Sequence, residues 1–493
     1  MRWVRTAAET RAAETPAVAG VDEATLIGRA SWAVAHRVLQ VSGGGYGVDV
    51  LVAAGSGHNG ADALWAGVHL ARRGARVTAY RATGRAADEH AVRALRELAR
   101  AGGRQATVDE VVAGTPYDVG IDGVTGLGYT PRDGDAEEAL AAACELLRSR
   151  SGLVVAVDLP SGVEPDTGRA ASWAMAADVT VTFGALKPGL VLGAGAELAG
   201  VVDVAGIGLA PGEPTALGTL DADDVAELLP TPGPRATKYS RGGVGLIGGG
   251  EDYVGAAVLA SGGALRAGAG IVRMHAPRET IAAVRARWPE VVGIPVDLST
   301  IAHEKKVDAW VVGPGLGTDD TAQAILDAVL DRPEPVVVDA DAITLLGRST
   351  ERLRARRAPT VLTPHAAEFE RLTDVAVRDA AADPLGAVRR AAADLGVTVL
   401  LKGMRTVVAA PDGTARVNPT GTAWLASAGS GDVLAGAVGA YLAAGLAPLD
   451  AAACAAWLHG LAARLAARDA PLLASDVIDR WPAAHRQVRG GGR

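Results

Sequence analysis

Cysteine is nearly absent: Cys144 and Cys454 are the only two in 493 residues, one in each half of the chain. That excludes a disulfide framework and a clustered-thiolate zinc site, and it fits a reducing cytoplasm. Lysine is also scarce, occurring only at 187, 238, 305, 306 and 402, which makes each one informative. Excess positive charge is missing: 48 Lys plus Arg stand against 56 Asp plus Glu, a formal net charge of −8. Spread along the chain, this balance offers no footprint for nucleic acid. The opening MRWVRTAAETRAAE is charged throughout and lacks the apolar core of a secretory signal. The best membrane-span candidate, 433–447, is too short for the roughly 20 apolar residues a bilayer needs, carries several glycines and stops at Pro448. It reads as a buried helix, so no membrane partner is expected. What remains is a globular composition, 49% hydrophobic and 21% charged, long enough for several domains.

From about Val48 to Gly206, apolar β-branched runs such as VDVLVAAG and LVVAVDLPSG alternate with helical periods such as ALWAGVHLARRG and EEALAAACELLRSR. Continuous apolar strands separated by helices predict βαβ units and a parallel sheet covered on both faces. A Pro- and Gly-rich stretch at 209–238 interrupts the pattern and reads as a linker plus a short helix. The alternation then restarts through GGVGLIGG, AWVVGPGLG, PVVVDADAITLL and VTVLLKGMRTVVAAP. The expectation is two α/β domains, 1–215 and 216–493, with no repeat relating them.

In the first domain, AAGSGHNGADAL sets Gly55, Gly57 and Gly60 between a predicted strand and helix, where glycine lets backbone amides approach an anion. Dinucleotide binding, a structural tight turn and a turn with its own polar chemistry all fit that spacing. Asp62 would repel a pyrophosphate from the first helical turn. Asp122, Asp158 and Ser161 follow apolar strands, so with Asn59 and Asp62 they are expected to converge at the carboxyl edge of the sheet. Lys187 is either a site residue or a strand-end anchor.

These segments resemble the NAD(P)H-hydrate epimerases, the YjeF N-terminal domain family. The family's G-x-G-N-N-G-G-D-G-L matches Gly55 to Leu64, V-D-A-L-F-G-T-G matches 121–128, V-D-I-P-S-G-x-x-x-D-T-G matches 157–168, and T-F-G-x-x-K-P-G matches 182–189. The resemblance implies a Rossmann-like three-layer αβα sandwich. It implies that Asn59, Asp122 and Ser161 bind K+, and that His58, Asn59, Gly60, Ala61, Asp62, Gly126, Leu127, Gly128, Tyr129 and Asp158 hold a hydrated nicotinamide nucleotide. Asp158 is then the acid/base residue. His58 replaces a family Asn, Leu127 replaces a Thr, and Ala61 and Ala63 replace glycines, which fits only if those two alanines are already helical.

In the second domain, Gly429, Ser430, Gly431 and Asp432 immediately precede a long apolar helix, an arrangement that forms an anion hole from free helix amides. An Asp there suits a base accepting a proton from a substrate hydroxyl during phosphoryl transfer; the simpler use is a helix cap. His365, after TVLTP, is either structural or part of the site. GPGLG at 313–317, TPH at 363–365, LLKG at 400–403 and AGSGD at 428–432 resemble, in order, the ADP-dependent NAD(P)H-hydrate dehydratases, a ribokinase-like family. That resemblance implies a ribokinase-like α/β fold. Ala256, Gly315, His365 and Asp432 would contact the hydrated nucleotide, and Lys402, Gly403, Met404, Arg405, Thr406 and Gly431 would bind ADP with Mg2+. Asp432 is the expected catalytic residue.

Together the two resemblances predict an enzyme that epimerises the R and S hydrates of NADH and NADPH (NADHX and NADPHX) and dehydrates the S form at the expense of ADP. The expected partners are these small molecules and further copies of the chain, as a homo-oligomer in the cytoplasm. A kinase of a small hydroxylated metabolite joined to a non-catalytic NAD(P)-binding domain would share the same anion hole and aspartate.

Overall fold

The computed structural model describes residues 1–15, 20–82, 88–131, 134–209, 215–347 and 350–490. The chain divides into two compact units, one spanning 3–215 and the other running from 216 to the end of the described residues and taking in Met1–Arg2.

After the two-residue strand β1 (Arg2–Trp3), the first unit forms a seven-stranded sheet from β2 (Asp49–Ala54), β3 (Arg76–Arg81), β4 (Arg104–Gln105), β5 (Tyr117–Gly123), β6 (Ser151–Val157), β7 (Val179–Phe183) and β8 (Val201–Ala205), in the order β4-β3-β2-β5-β6-β7-β8. Every pairing is parallel. The chain winds outward from β2 to β4, then restarts at β5 on the other side of β2. This reversal opens a crevice at the carboxyl ends of β2 and β5. Its helices include α1 (Ala7–Glu14), α2 (Glu23–Val41), α3 (His58–Ala71), α4 (Glu89–Arg100) and α5 (Asp135–Arg150). Side chains alternate along β2, so Val50 and Val52 pack with α2 and α3 through Val34, Leu64 and Val68. Leu51 and Ala53 face the opposite core with Cys144 and Leu147 of α5. Helices on both faces of a parallel sheet make the expected three-layer αβα sandwich.

The second unit carries an eleven-stranded sheet built from β1 together with β9 (Leu217–Thr219), β10 (Gly243–Ile247), β11 (Ile271–Ala276), β12 (Val292–Pro295), β13 (Ala309–Val312), β14 (Val336–Val338), β15 (Thr360–Leu362), β16 (Thr398–Leu401), β17 (Val407–Ala409) and β18 (Ala415–Val417). The order is β1-β9-β18-β17-β16-β15-β14-β13-β10-β11-β12. Strands β10 to β16 pair in parallel, while β17 is antiparallel to both of its neighbours. Helices that matter below are α6 (Val254–Ala267), α7 (Ala340–Leu346), α8 (Ala366–Thr373), α9 (Ser430–Ala443), α10 (Pro448–Ala467) and α11 (Ala474–Gly490).

Two details differ from the sequence reading. Within the stretch read as linker plus helix, Leu217–Thr219 is a buried strand pairing with β18. Three residues are too few to show a period, and residues 210–214 lie outside the described residues. The apolar run 433–447 is buried only as far as Leu442; its helix α9 ends at Ala443, 444–447 is partly exposed, and Pro448 opens α10 instead of closing α9. Among the described residues no helix is long and apolar enough to cross a membrane.

Candidate active sites

The crevice of the first unit holds a cavity of about 740 Å3. His58, Asn59, Asp62, the 126–129 segment and Asp158 line it. Gly60 and Ala61 are buried behind the wall. A side chain at Gly60 would lie 2.3 Å from the Gly55 carbonyl oxygen, so this residue lets α3 begin directly against β2. Ala61 and Ala63 are helical and buried, which satisfies the condition on which these departures from the family pattern depend. Asp62 lies one turn further into α3 than the sequence reading placed it. It is only 9% exposed, and its Oδ1 has no hydrogen-bond partner among the described residues. Burial pushes its pKa well up, and Asp158 and Glu14 add to the effect. That upward shift weakens the charge objection that the sequence reading raised against a phosphate.

Asp158 follows β6 with φ 64°, a left-handed conformation that costs a non-glycine residue strain and tends to occur at functional sites. Lys187 decides its setting. The Lys187 ammonium is fully buried and donates to Asp158 Oδ1 at 2.6 Å, Thr182 Oγ1 at 2.9 Å and the Phe183 carbonyl at 2.9 Å. The contacts are compatible with both uses open to Lys187: it holds Asp158, and it ties down the end of β7 through Thr182 and Phe183.

Asp122 and Ser161 are wholly buried beneath the cavity. Ser161 Oγ donates to Asp122 Oδ1 at 2.5 Å and its backbone N–H to Oδ2 at 2.8 Å, while Ser161 Oγ accepts from Thr125 N at 2.8 Å. The Asn59 amide nitrogen donates to the Thr125 carbonyl at 2.5 Å and the Val157 carbonyl at 2.9 Å. Asp122 has no ion-pair partner among the described residues, and burial raises its pKa despite the hydrogen bonds from Ser161. One uncompensated carboxylate among amide, hydroxyl and carbonyl oxygens fits a hard monovalent cation; among the described residues no cluster of three His, Cys, Asp or Glu exists to favour a transition metal.

Glu14, at the end of α1, lines the same cavity. The sequence reading did not single it out. Arg11 on the same helix donates to the Leu127 carbonyl at 2.6 Å, and Tyr129 closes the far rim by donating to Glu137 at 2.5 Å.

In the second unit, Gly429 caps α9 at φ 84°, a left-handed turn suited to glycine, and no side chain caps the helix. Asp432 is in the first turn, so it is not the cap. Burial pushes its carboxyl up to about 7, Asp339 adding and Lys402 opposing. The Lys402 ammonium donates to Asp339 Oδ1 at 2.8 Å and lies 3.7 Å from Glu368. It also lies 3.2 Å from where a side chain on Gly431 would begin. Burial works against the Lys402 charge, yet Asp339 and Glu368 hold its pKa above the ordinary value. Lys402, Gly431 and Asp432 are thus brought together, with Asp339 and Glu368 beside them unanticipated from sequence.

His365 caps α8. Its Nδ1 accepts from Ala367 N at 3.1 Å and Glu368 N at 3.3 Å, while Glu368 accepts from the His365 N–H at 2.8 Å. This is the structural use weighed from the sequence; the His365 side chain stays half-exposed, with Nε2 3.3 Å from Glu368 Oε1. Gly315 sits against Tyr253 and Ala256, and its loop is fastened to the start of α7 by Gly317 N donating to Asp341 at 2.9 Å. Beyond β16, Thr406 Oγ1 donates to Gly403 O at 3.0 Å and Arg405 to Pro419 O at 3.1 Å, while Met404 stays exposed. A larger cavity of about 830 Å3 lies elsewhere, beside α11, and contains none of these residues. Its Arg241 and Arg489 brace backbone carbonyls of Gly268 and Pro230.

Two family models cover most of the chain: "YjeF-related protein N-terminus" matches residues 23–189 and "NAD(P)H-hydrate dehydratase" matches 244–482. A bifunctional NAD(P)H-hydrate repair enzyme of Mycobacterium tuberculosis is 43% identical over 447 residues, 90% of this chain and 89% of the relative. Its Mycobacterium leprae counterpart is 42% identical over 95% of both chains. The chain belongs to the bifunctional NAD(P)H-hydrate repair enzyme family. Among solved structures, the ADP/ATP-dependent NAD(P)H-hydrate dehydratase of Bacillus subtilis, co-crystallised with ATP and Mg2+, is 31% identical with a TM-score of 0.52, covering 55% of this chain and 98% of that one. A ribokinase-like superfamily protein of Enterococcus faecalis scores 0.51 at 27% identity, over 56% of this chain and 97% of its own. The second unit of this repair-enzyme chain therefore has the ribokinase-like fold.

Proposed function

We propose that residues 1–215 interconvert the R and S hydrates of NADH and NADPH, and that residues 216–493 dehydrate the S hydrate with ADP as phosphoryl donor. The observation that carries this reading is Asp432, a half-buried carboxyl beside the uncapped amino terminus of α9 and next to Lys402. Hydroxide is a poor leaving group. Phosphorylating the added hydroxyl and then expelling phosphate regenerates the dihydropyridine ring. In this scheme Asp432 accepts the hydroxyl proton, and the amides of 429–431 stabilise the moving phosphoryl group. Lys402, Gly403, Met404, Arg405, Thr406 and Gly431 hold the adenine nucleotide, while Ala256, Gly315 and the half-exposed His365 contact the hydrated nucleotide. Asp339 and Glu368 face the Lys402 ammonium and, with Asp341, act on Asp432; among the described residues they are not grouped as a metal cage, but their negative charge suits a nucleotide arriving with its own Mg2+. Family membership over nine-tenths of the chain favours dehydration over a metabolite kinase.

In the first unit, Asp158 is the acid/base residue, positioned by Lys187. His58, Asn59, Asp62, Gly126, Leu127, Gly128 and Tyr129 form the substrate wall, with Gly60 and Ala61 behind it. Asn59, Asp122 and Ser161 would hold K+, which supplies the positive charge that the buried Asp122 lacks. The same reading has the chain self-associating in the cytoplasm; the two free, buried cysteines fit that compartment. The test is Asp432→Asn. It is expected to abolish ADP-dependent recovery of the reduced nicotinamide ring from the S hydrate while R/S exchange without ADP continues. Retained dehydration in this variant would contradict the assignment.

A further inference from the structure

This inference rests on reading the first cavity as the epimerase site, and it concerns what inversion demands there. The reduced nicotinamide ring is an enamine, so added water places its hydroxyl on C6, beside N1. Inversion through the C6=N1 iminium has one hydroxyl depart and one water enter from the other face. A proton donor is needed for the first and a proton acceptor for the second, which is why inverting glycosidases use two carboxyl groups. Asp158 supplies one. Its Oδ1 is already engaged by Lys187 and Thr182.

We propose that Glu14 is the second acid–base residue of the epimerase, acting on the departing or entering oxygen while Asp158 does the converse. Glu14 is the last residue of α1, half-buried, and lines the same cavity of about 740 Å3 as Asp158. The helix is held in place at both ends. Thr6 and Glu9 form a capping box, and Ala7 N donates to Asp166 Oδ1 at 2.7 Å. Arg11 donates to the Leu127 carbonyl at 2.6 Å. These ties attach α1 to the 126–129 and 157–168 segments, which also carry the other proposed site groups. Among the described residues the Glu14 carboxyl has no hydrogen-bond partner, so it is available to a ligand. The charged groups around it are Arg11 on its own helix, His58 and Asp62 on α3, and Asp158 and Lys187 at the sheet edge. Burial raises its pKa; Lys187 opposes and Asp158 adds. Unlike Asp62, Glu14 is open enough to exchange its proton with solvent between turnovers.

The step balances without a redox partner. The N1 lone pair forms the C6=N1 iminium as the C6–O bond breaks, and the leaving oxygen takes a proton from one carboxyl and departs as water. A second water attacks the opposite face of C6, its proton passes to the other carboxyl, and the π electrons return to N1. The two carboxyls end with their protonation exchanged, and solvent resets them.

The experiment follows R/S exchange in the full chain without ADP, starting from the purified S hydrate of NADH, with epimers separated by chromatography. Glu14→Gln is expected to lower kcat by about 10²- to 10³-fold, with KM within about threefold and one limb of the pH profile lost. Glu14→Asp is expected to retain an intermediate rate, and unchanged thermal melts of both variants exclude misfolding. Glu14→Gln exchanging at the wild-type rate while Asp158→Asn fails overturns the proposal and leaves the epimerase reading standing. So does loss of the pH limb in Asp62→Asn instead. Exchange by the wild-type chain no faster than in buffer overturns the epimerase reading itself, and the proposal with it.

Discussion

Lys187→Met tests how the first site is held together. The wild-type ammonium is wholly buried, and its three donors are satisfied by Asp158, Thr182 and Phe183 at 2.6, 2.9 and 2.9 Å. Met fills most of the same volume but leaves the Asp158 carboxylate, with only 7% of its side chain exposed, without a cation. Removing one partner of a buried ion pair costs about 3–5 kcal/mol. In a unit of this size each kcal/mol lowers Tm by about 2–4 °C, so the first unit should melt roughly 6–20 °C lower. The double variant Lys187→Met/Asp158→Asn leaves no unpaired charge and should cost less than the sum of the singles, by up to about 3 kcal/mol. Scanning calorimetry of the full chain provides the melts, and hydrogen exchange over β6 and β7 shows which unit has loosened. A single-variant cost below about 1 kcal/mol, or strictly additive singles, would refute the argument that this pair is coupled.

Three further outcomes are expected. Because Asp432 must be ionised to accept a proton and its pKa is raised to about 7, kcat/KM for S-hydrate dehydration should rise as pH climbs through about 7 and flatten above it; a profile flat from pH 5 to 9 contradicts this. Asp62 binds its proton more tightly folded than unfolded, so its contribution to stability is full below its unfolded pKa and is lost as pH rises through the higher folded value. Asp62→Asn should therefore stabilise the first unit by about 1–3 kcal/mol at neutral pH and not below about pH 4, read from urea midpoints at both pH values. Gly60→Ala would place a methyl carbon 2.3 Å from the Gly55 carbonyl oxygen, so it should cost about 1–3 kcal/mol and raise KM for R/S exchange; an unchanged melt and KM contradict this.

The parts of the fold legible in the sequence were those with long-range periodicity. DVLVAA, SGLVVAV and VTVTF are continuous apolar runs because helices cover both faces of their sheet, and each is a buried strand where expected. Leu217–Thr219 escaped because a strand of three residues between turn-formers has no period to read. The first site was partly legible because Asp122, Asp158 and Ser161 stand at or just after strand ends and Asn59 opens the helix that follows β2, where the topology forces convergence. Glu14 was hidden: it belongs to a short amphipathic helix far from those strands in sequence, and only the tertiary contacts of Arg11 and Ala7 carry it to the cavity. Asp339 and Glu368 were passed over for a similar reason. Each looks like an ordinary helix-start acid until Lys402 arrives from β16 to pair with it. Lys187 shows the converse: its rarity marked it, but nothing local distinguishes an anchor from a site residue. Its partner Asp158 lies 29 residues away.

The central claim, two complementary activities on one chain, is tested most directly by supplying a mixed R and S hydrate of NADH with ADP and Mg2+ and following recovery of nicotinamide absorbance. The account predicts a fast phase from the S fraction, then complete recovery of the R fraction faster than spontaneous epimerisation, with Asp158→Asn slowing only the second phase. Recovery that stops at the S fraction would contradict the assignment of the first unit, and no recovery at all would contradict the repair function altogether.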